Sequence, residues 1–272
     1  MKLTEGLIKL PQRLLAEMES FVLTWYFAYV QATIERKFRF DDESLDRAHA
    51  LVRAAMKHHG VEPTPSQVRK ARDQKAFMKT FVLDEELYDV SLKMNVKLKL
   101  VLERHKRLAS NIGVYRDSTG FITLSAYNLH MTGASLQTVS AVRRSLQKVP
   151  ELLGFLEHEL THLVQYRTLA LKHEDQVTGD YAQDAEFNDE YGLAQVEFDP
   201  LIKSELARFK QLTAKYQSYP GYNKRELLDA FTFSGPTPKW MSPTDRSQLL
   251  EVLKRRAPVR WRKAVKLFTS VH

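Results

Sequence analysis

The stretch Leu152–Leu171 has helical periodicity, and within it stands His158-Glu159-Leu160-Thr161-His162. Two histidines at i and i+4 of a helix share one face, about one turn apart, so both imidazoles reach a single ion. Glu159 projects roughly 100° around the helix from His158, beside the position the histidines face rather than on it. The apolar residues Leu156, Leu160, Leu163 and Val164 supply the packing side, and Gly154 leaves room one turn before His158. Whatever the chain folds into must therefore hold one long helix, buried along one side and chemically equipped along the other.

The chain of 272 residues contains no cysteine. Disulfides, thiolate nucleophiles and cysteine-ligated metals are excluded, so a metal can sit only on His, Asp and Glu. A length of this order buries a proper core, and the hydrophobic fraction of 43% with 27% charged residues is that of an ordinary globular protein. The apolar run Phe21–Ala32 follows a segment containing Glu5, Glu17 and Glu19, unlike the cationic start of a secretory signal. It is also too short to span a bilayer as a helix. No membrane span is expected, and the reading is a soluble, cytoplasmic protein.

Three regions follow from the pattern. Residues 1–95 read as a helical N-terminal region: Gln12–Phe38, then Glu43–His59 ended by Gly60, then a helix after Thr64-Pro65 with Gln67 placed to complete a capping box. Residues 96–235 hold the motif. Here Val96-Lys97-Leu98-Lys99-Leu100 alternates as a strand, and Ile112–Arg116 and Phe121–Tyr127 flank the turn-forming Asp117-Ser118-Thr119-Gly120 as a hairpin. Leu136, Val139, Val142, Leu146 and Val149 trace a helix, and Pro150 suits the first turn of the next, which carries the histidines. Another helical stretch begins near Gly192 or Pro200, where Asp199 can cap it, and ends at Tyr216. Residues 236–272 form a basic tail, predicted as a helix from Ser242-Pro243 to Pro258 followed by a short basic segment. The expected fold class is α+β, mainly helical, with a small β-sheet packed on the active-site helix.

A short sheet followed by a helix bearing His158-Glu159-Leu160-Thr161-His162 resembles the zincin metallopeptidases, and the same wording occurs in thermolysin-like enzymes. The likeness covers about a hundred residues, from the strands to the acidic segment. It implies a zinc hydrolase that cleaves peptide or protein substrates, with His158 and His162 as Zn2+ ligands and Glu159 as general base. The metzincin branch places Gly and His where this chain has Gln165 and Thr168, and a third histidine ligand would have to be His173, too close on the same helix. A gluzincin-like site with a downstream glutamate remains: Glu197, Glu186 or Glu190, with Asp180 or no third protein ligand as the residual choices. Glu197 is similar to the glutamate that begins the second helix of small bacterial and phage peptidases of the HELTHxxQ type, a pattern that Gln165 also fits, and it is the favoured ligand. Glu186 is nearest in spacing to the thermolysin-like arrangement. Tyr166, His173 and Tyr191 are the nearby donors for an oxyanion, and the resemblance makes Phe121–Tyr127 the candidate strand for pairing with an extended substrate.

Charge is unevenly spread. Glu174–Asp199 holds nine acids and no Lys or Arg, whereas Pro236–His272 carries nine Lys/Arg against two acids. The first reads as a solvated loop without a spaced calcium motif. In the second, Lys254-Arg255-Arg256, Arg260, Arg262, Lys263 and Lys266 surround Trp261, a mixture that suits nucleic-acid contact through phosphates and a stacking ring, or a helix docked on the body. The second functional reading is accordingly a nucleic-acid-associated or phage structural protein with a degenerate zincin core.

Overall fold

Eight helices and five strands account for most of the residues that the computed structural model describes, which are 9–36, 40–73, 80–82, 87–89, 94–102, 113–116, 121–131, 136–169, 195–232 and 258–270. The architecture is α+β and mainly helical, as the sequence pattern predicts. Contacts within the chain divide it into two units, Lys9–Val164 and Gln165–His272, the latter together with the first eight residues. The border thus falls inside the region 96–235, within the histidine-bearing helix.

In the first unit, α1 (Gln12–Ile34) buries Leu14, Met18 and Val22 along one stripe and then every residue from Tyr26 to Val30. Its second half is core on all sides, which is why its apolar residues there lose their periodicity. Tyr26 donates its hydroxyl to the Met131 carbonyl at 3.3 Å, satisfying a polar tip that would otherwise be costly to bury. Helix α2 (Asp42–His59) is capped by the Asp41 side chain, which accepts from the Ser44 amide at 2.7 Å, and is closed by Gly60 in the left-handed conformation at φ 66°. Helix α3 (Pro65–Asp73) opens with the expected capping box: the Gln67 side chain accepts from the Thr64 amide at 2.8 Å and the Thr64 hydroxyl from the Gln67 amide at 3.3 Å. Arg72 of α3 pairs with Glu35, and α1 packs against α2, α3 and the sheet.

The sheet comprises β1 (Thr80–Val82), β2 (Leu87–Asp89), β3 (Met94–Val101), β4 (Gly113–Arg116) and β5 (Phe121–Ser125). Strands β1 and β2 both pair antiparallel with β3, on its C-terminal and N-terminal parts respectively. The helical reading of the first ninety residues is corrected here, since β1 and β2 are three-residue runs held by pairing with β3 and too short to show a period of their own. The hairpin β4–β5 forms as the turn chemistry predicts. The β3–β5 pair is parallel, with Leu98 beside Ile122 and Leu100 beside Leu124, so the alternating apolar residues of both strands meet on one buried face. Because β5 is bonded to β3 on one side and β4 on the other, it has no free edge, and Phe121–Tyr127 is not a substrate-pairing strand. Among the described residues, the strand at the end of the sheet on that side is β4.

Helix α4 (Val139–Gln147) starts from Thr138, whose hydroxyl accepts from the Ala141 amide at 3.1 Å. Only Lys148 separates it from α5 (Val149–Leu169), and that lysine donates to the Leu129 carbonyl at 2.7 Å. Pro150 lies in the first turn of α5, where its missing N–H costs nothing.

The second unit contains α6 (Gln195–Tyr216), α7 (Lys224–Thr232) and α8 (Pro258–Thr269). Helix α6 runs through Pro200, so Asp199 is an internal residue and not a cap; one lost backbone bond near the helix start is outweighed by the apolar face that follows. That face joins Ile202, Phe209, Leu212 and Tyr216 to Leu227 and Leu228 of α7 and to Trp261, Ala264 and Phe268 of α8. Phe209 and Phe268 meet edge to face with ring centres 5.6 Å apart. Asn223 caps α7 through its side chain, which accepts from the Arg225 amide at 2.8 Å. Pro258 opens α8, which holds the basic segment predicted after it, while residues 242–257 of the expected tail helix lie outside the described residues. No helix among the described residues is long and apolar enough to cross a membrane.

Candidate metal centre

Helix α5 places His158, Glu159 and His162 in sequence order on consecutive parts of one turn. The outward part of the helix is not polar in the ordinary sense, because from Glu159 to Gln165 every residue is buried. Glu159 and His162 are each 7% exposed, and His158 is half-buried. Polar groups so placed need a partner or a ligand to offset lost hydration.

The Nε2 atoms of His158 and His162 lie 3.1 Å apart, with the rings tilted at 72°. Two nitrogens bound to one tetrahedral zinc at about 2.0–2.1 Å are separated by about 3.3–3.4 Å. The two donors therefore stand within a few tenths of an ångström of the spacing one zinc ion requires, with the same ring nitrogen of each histidine turned to the shared point. The same distance lets one ring donate Nε2–H to the other when only one of them carries that proton. The residues present fit a divalent metal.

Thr161 is fully buried, and its hydroxyl donates to the Glu157 carbonyl at 2.6 Å, one turn back along the helix. Its proton is committed to the backbone, which explains how a hydroxyl sits among Leu160, Leu163 and Val164 without a distant partner. Gly154 is buried, and Leu152, Leu156, Leu160, Leu163 and Val164 form the apolar side that the spacing predicts.

Next to His158 stands Glu157, and Glu19 of α1 lies close to it. Burial first, and then the charge of Glu157, raise the Glu19 carboxyl above its ordinary value. No local pattern announces this pair, since the two residues come from opposite ends of the first unit.

The further ligand candidates divide. Glu197 is the third residue of α6, in the second unit, and the structure describes its backbone as helical. Asp180, Glu186, Glu190, His173 and Tyr191 lie outside the described residues. Tyr166 is half-exposed on α5, with the Arg167 guanidinium 5.5 Å from its ring centre. Among the described residues no group of three or more His, Asp or Glu side chains converges on one point, so the centre there is the two histidines with Glu159 beside them. No protein-family model, no curated protein and no solved structure matches the chain.

Proposed function

We propose that the protein is a zinc-dependent metallopeptidase of gluzincin-like type. The observation that carries this reading is the 3.1 Å approach of the His158 and His162 Nε2 atoms on a helix that also buries Glu159 beside them. In the proposed site His158, His162 and Glu197 hold the metal and Glu159 is the general base. Zinc, when bound, supplies Lewis acidity, which makes water nucleophilic near neutral pH and polarises a carbonyl. The carboxylate of Glu159 takes the proton of the attacking water and passes it to the departing amine, and its low exposure keeps bulk water from competing for that proton. Strand β4, which ends the sheet among the described residues, takes the role of pairing with an extended peptide.

Metal analysis of the purified protein tests the proposal. About one zinc per chain is expected, lost in His162→Ala, together with a peptide cleavage that chelators abolish. A wild-type protein without metal after growth in zinc would overturn it.

A further inference from the structure

Helix α8 has two dissimilar sides. Trp261, Ala264 and Phe268 are sunk in the core of the second unit, while Arg262, Lys266 and Thr269 are exposed along the opposite stripe. From Lys254 to Ser270 the sequence carries seven Lys/Arg and no Asp or Glu. For the helix itself the charge pattern is mixed: Lys266 stands in the last turn, where the dipole favours a cation. Arg262 and Lys266 are a like-charged pair at i and i+4, which destabilises a helix, and Arg260 stands in the first turn, where the helix dipole disfavours a cation. Neither Arg262 nor Lys266 forms an ion pair among the described residues. An exposed face whose charges are all positive is complementary to negative charge and points to an anionic partner.

The kind of polyanion follows from what α8 does not expose. Trp261 is 8% exposed and packed among Phe209, Phe268 and their neighbours, so it offers no ring for a base to stack on, as a single-stranded site requires. The apolar side is likewise occupied by the core, so the helix has nothing to insert into a lipid surface. What remains is a row of cations about one turn apart, suited to the high linear charge density of a duplex. We infer that the outer face of α8, through Arg262 and Lys266, binds the phosphate backbone of double-stranded DNA without reading its sequence. The burial of Trp261 replaces the stacking contact that the tail's composition suggests with a purely electrostatic one. This surface serves to hold the protein near DNA-bound material, whichever reaction the histidine helix performs.

Binding of the full-length protein to a short labelled DNA duplex, followed by fluorescence polarisation across a salt series, tests the inference. Wild type should bind with an affinity that falls linearly with salt on logarithmic axes. Arg262→Gln combined with Lys266→Gln should weaken binding roughly 50-fold at about 0.1 M salt and make the slope shallower by about 2. Thr269→Lys, which adds a cation to the same stripe, should steepen the slope by about 1 and keeps the test open if the double variant does not fold. Arg53→Gln with Arg143→Gln, two exposed cations of the first unit, should change little. Absence of duplex binding, an equal loss in that control, or tighter binding to single strands or to phosphatidylserine vesicles would each overturn the inference. The readout is DNA binding and not cleavage, so it stands or falls separately from the peptidase reading.

Discussion

Glu19 of α1 and Glu157 of α5 bring two carboxyls together beside the histidine motif, and the half-buried Glu19 resists ionisation. Its carboxyl is held above the usual range by burial and then by the charge of Glu157. Between its unfolded and folded values the native state binds more protons, so this residue lowers stability as pH rises through that window. Below the unfolded value both states are protonated and the penalty is absent. Glu19→Gln should therefore stabilise the protein at pH 7, by less than about 1 kcal/mol because a half-buried pair is screened by solvent. Thermal unfolding at neutral and acid pH checks this: the gain should vanish on acidification.

Glu159→Gln separates binding from catalysis. The amide keeps the size of the side chain and both histidines, so zinc content should stay near that of wild type. Turnover should fall by about 10²–10⁴-fold, the usual contribution of a positioned base. Parallel metal analysis and peptide cleavage decide it. A variant that loses its zinc along with its activity would place Glu159 among the ligands.

The third ligand is settled by a pair of substitutions. Glu197→Ala should strip the metal, while Glu186→Ala should leave it in place. Exchange of those two outcomes would move the ligand from α6 to the acidic segment ahead of it.

Tyr26→Phe removes the hydroxyl that reaches the Met131 carbonyl and leaves that oxygen buried without its donor. A loss of about 1–2 kcal/mol is expected in denaturant unfolding, from the desolvated acceptor as much as from the bond itself. Because Met131 follows the turn after β5, the loss should loosen the junction between α1 and the sheet more than the histidine helix.

Local signals carried most of the helical fold into the sequence. Asp41, Gly60, Thr64 with Gln67, and Pro150 all act at helix ends through neighbours within a few residues, so their roles can be read from spacing alone. The alternation of Val96, Leu98 and Leu100 was legible for the same reason. What was not legible depends on partners distant in the chain. The parallel pairing of β3 with β5, which removes β5 as an edge, has no trace in either strand's own pattern. Pro200 and Pro258 are ambiguous punctuation, since proline fits both a helix start and a helix stop, and it is the packing of Ile202, Phe209, Trp261 and Phe268 that shows helix continuing on the C-terminal side of each. At the candidate centre, the two histidines and Glu159 were visible as a spacing, whereas the closeness of Glu19 to Glu157 needed the fold.

The border between the two units passes through α5 between Val164 and Gln165, two residues after His162. A fragment ending at that border would leave the last four carbonyls of the shortened helix, Thr161 to Val164, without helical donors. The carbonyl of His162 is one of them. Fraying from the severed end would then begin at His162, so this dividing line of the chain falls on the histidine motif itself. Cleavage within α5 just after Val164 should therefore loosen the turn that carries His162 before it melts the sheet.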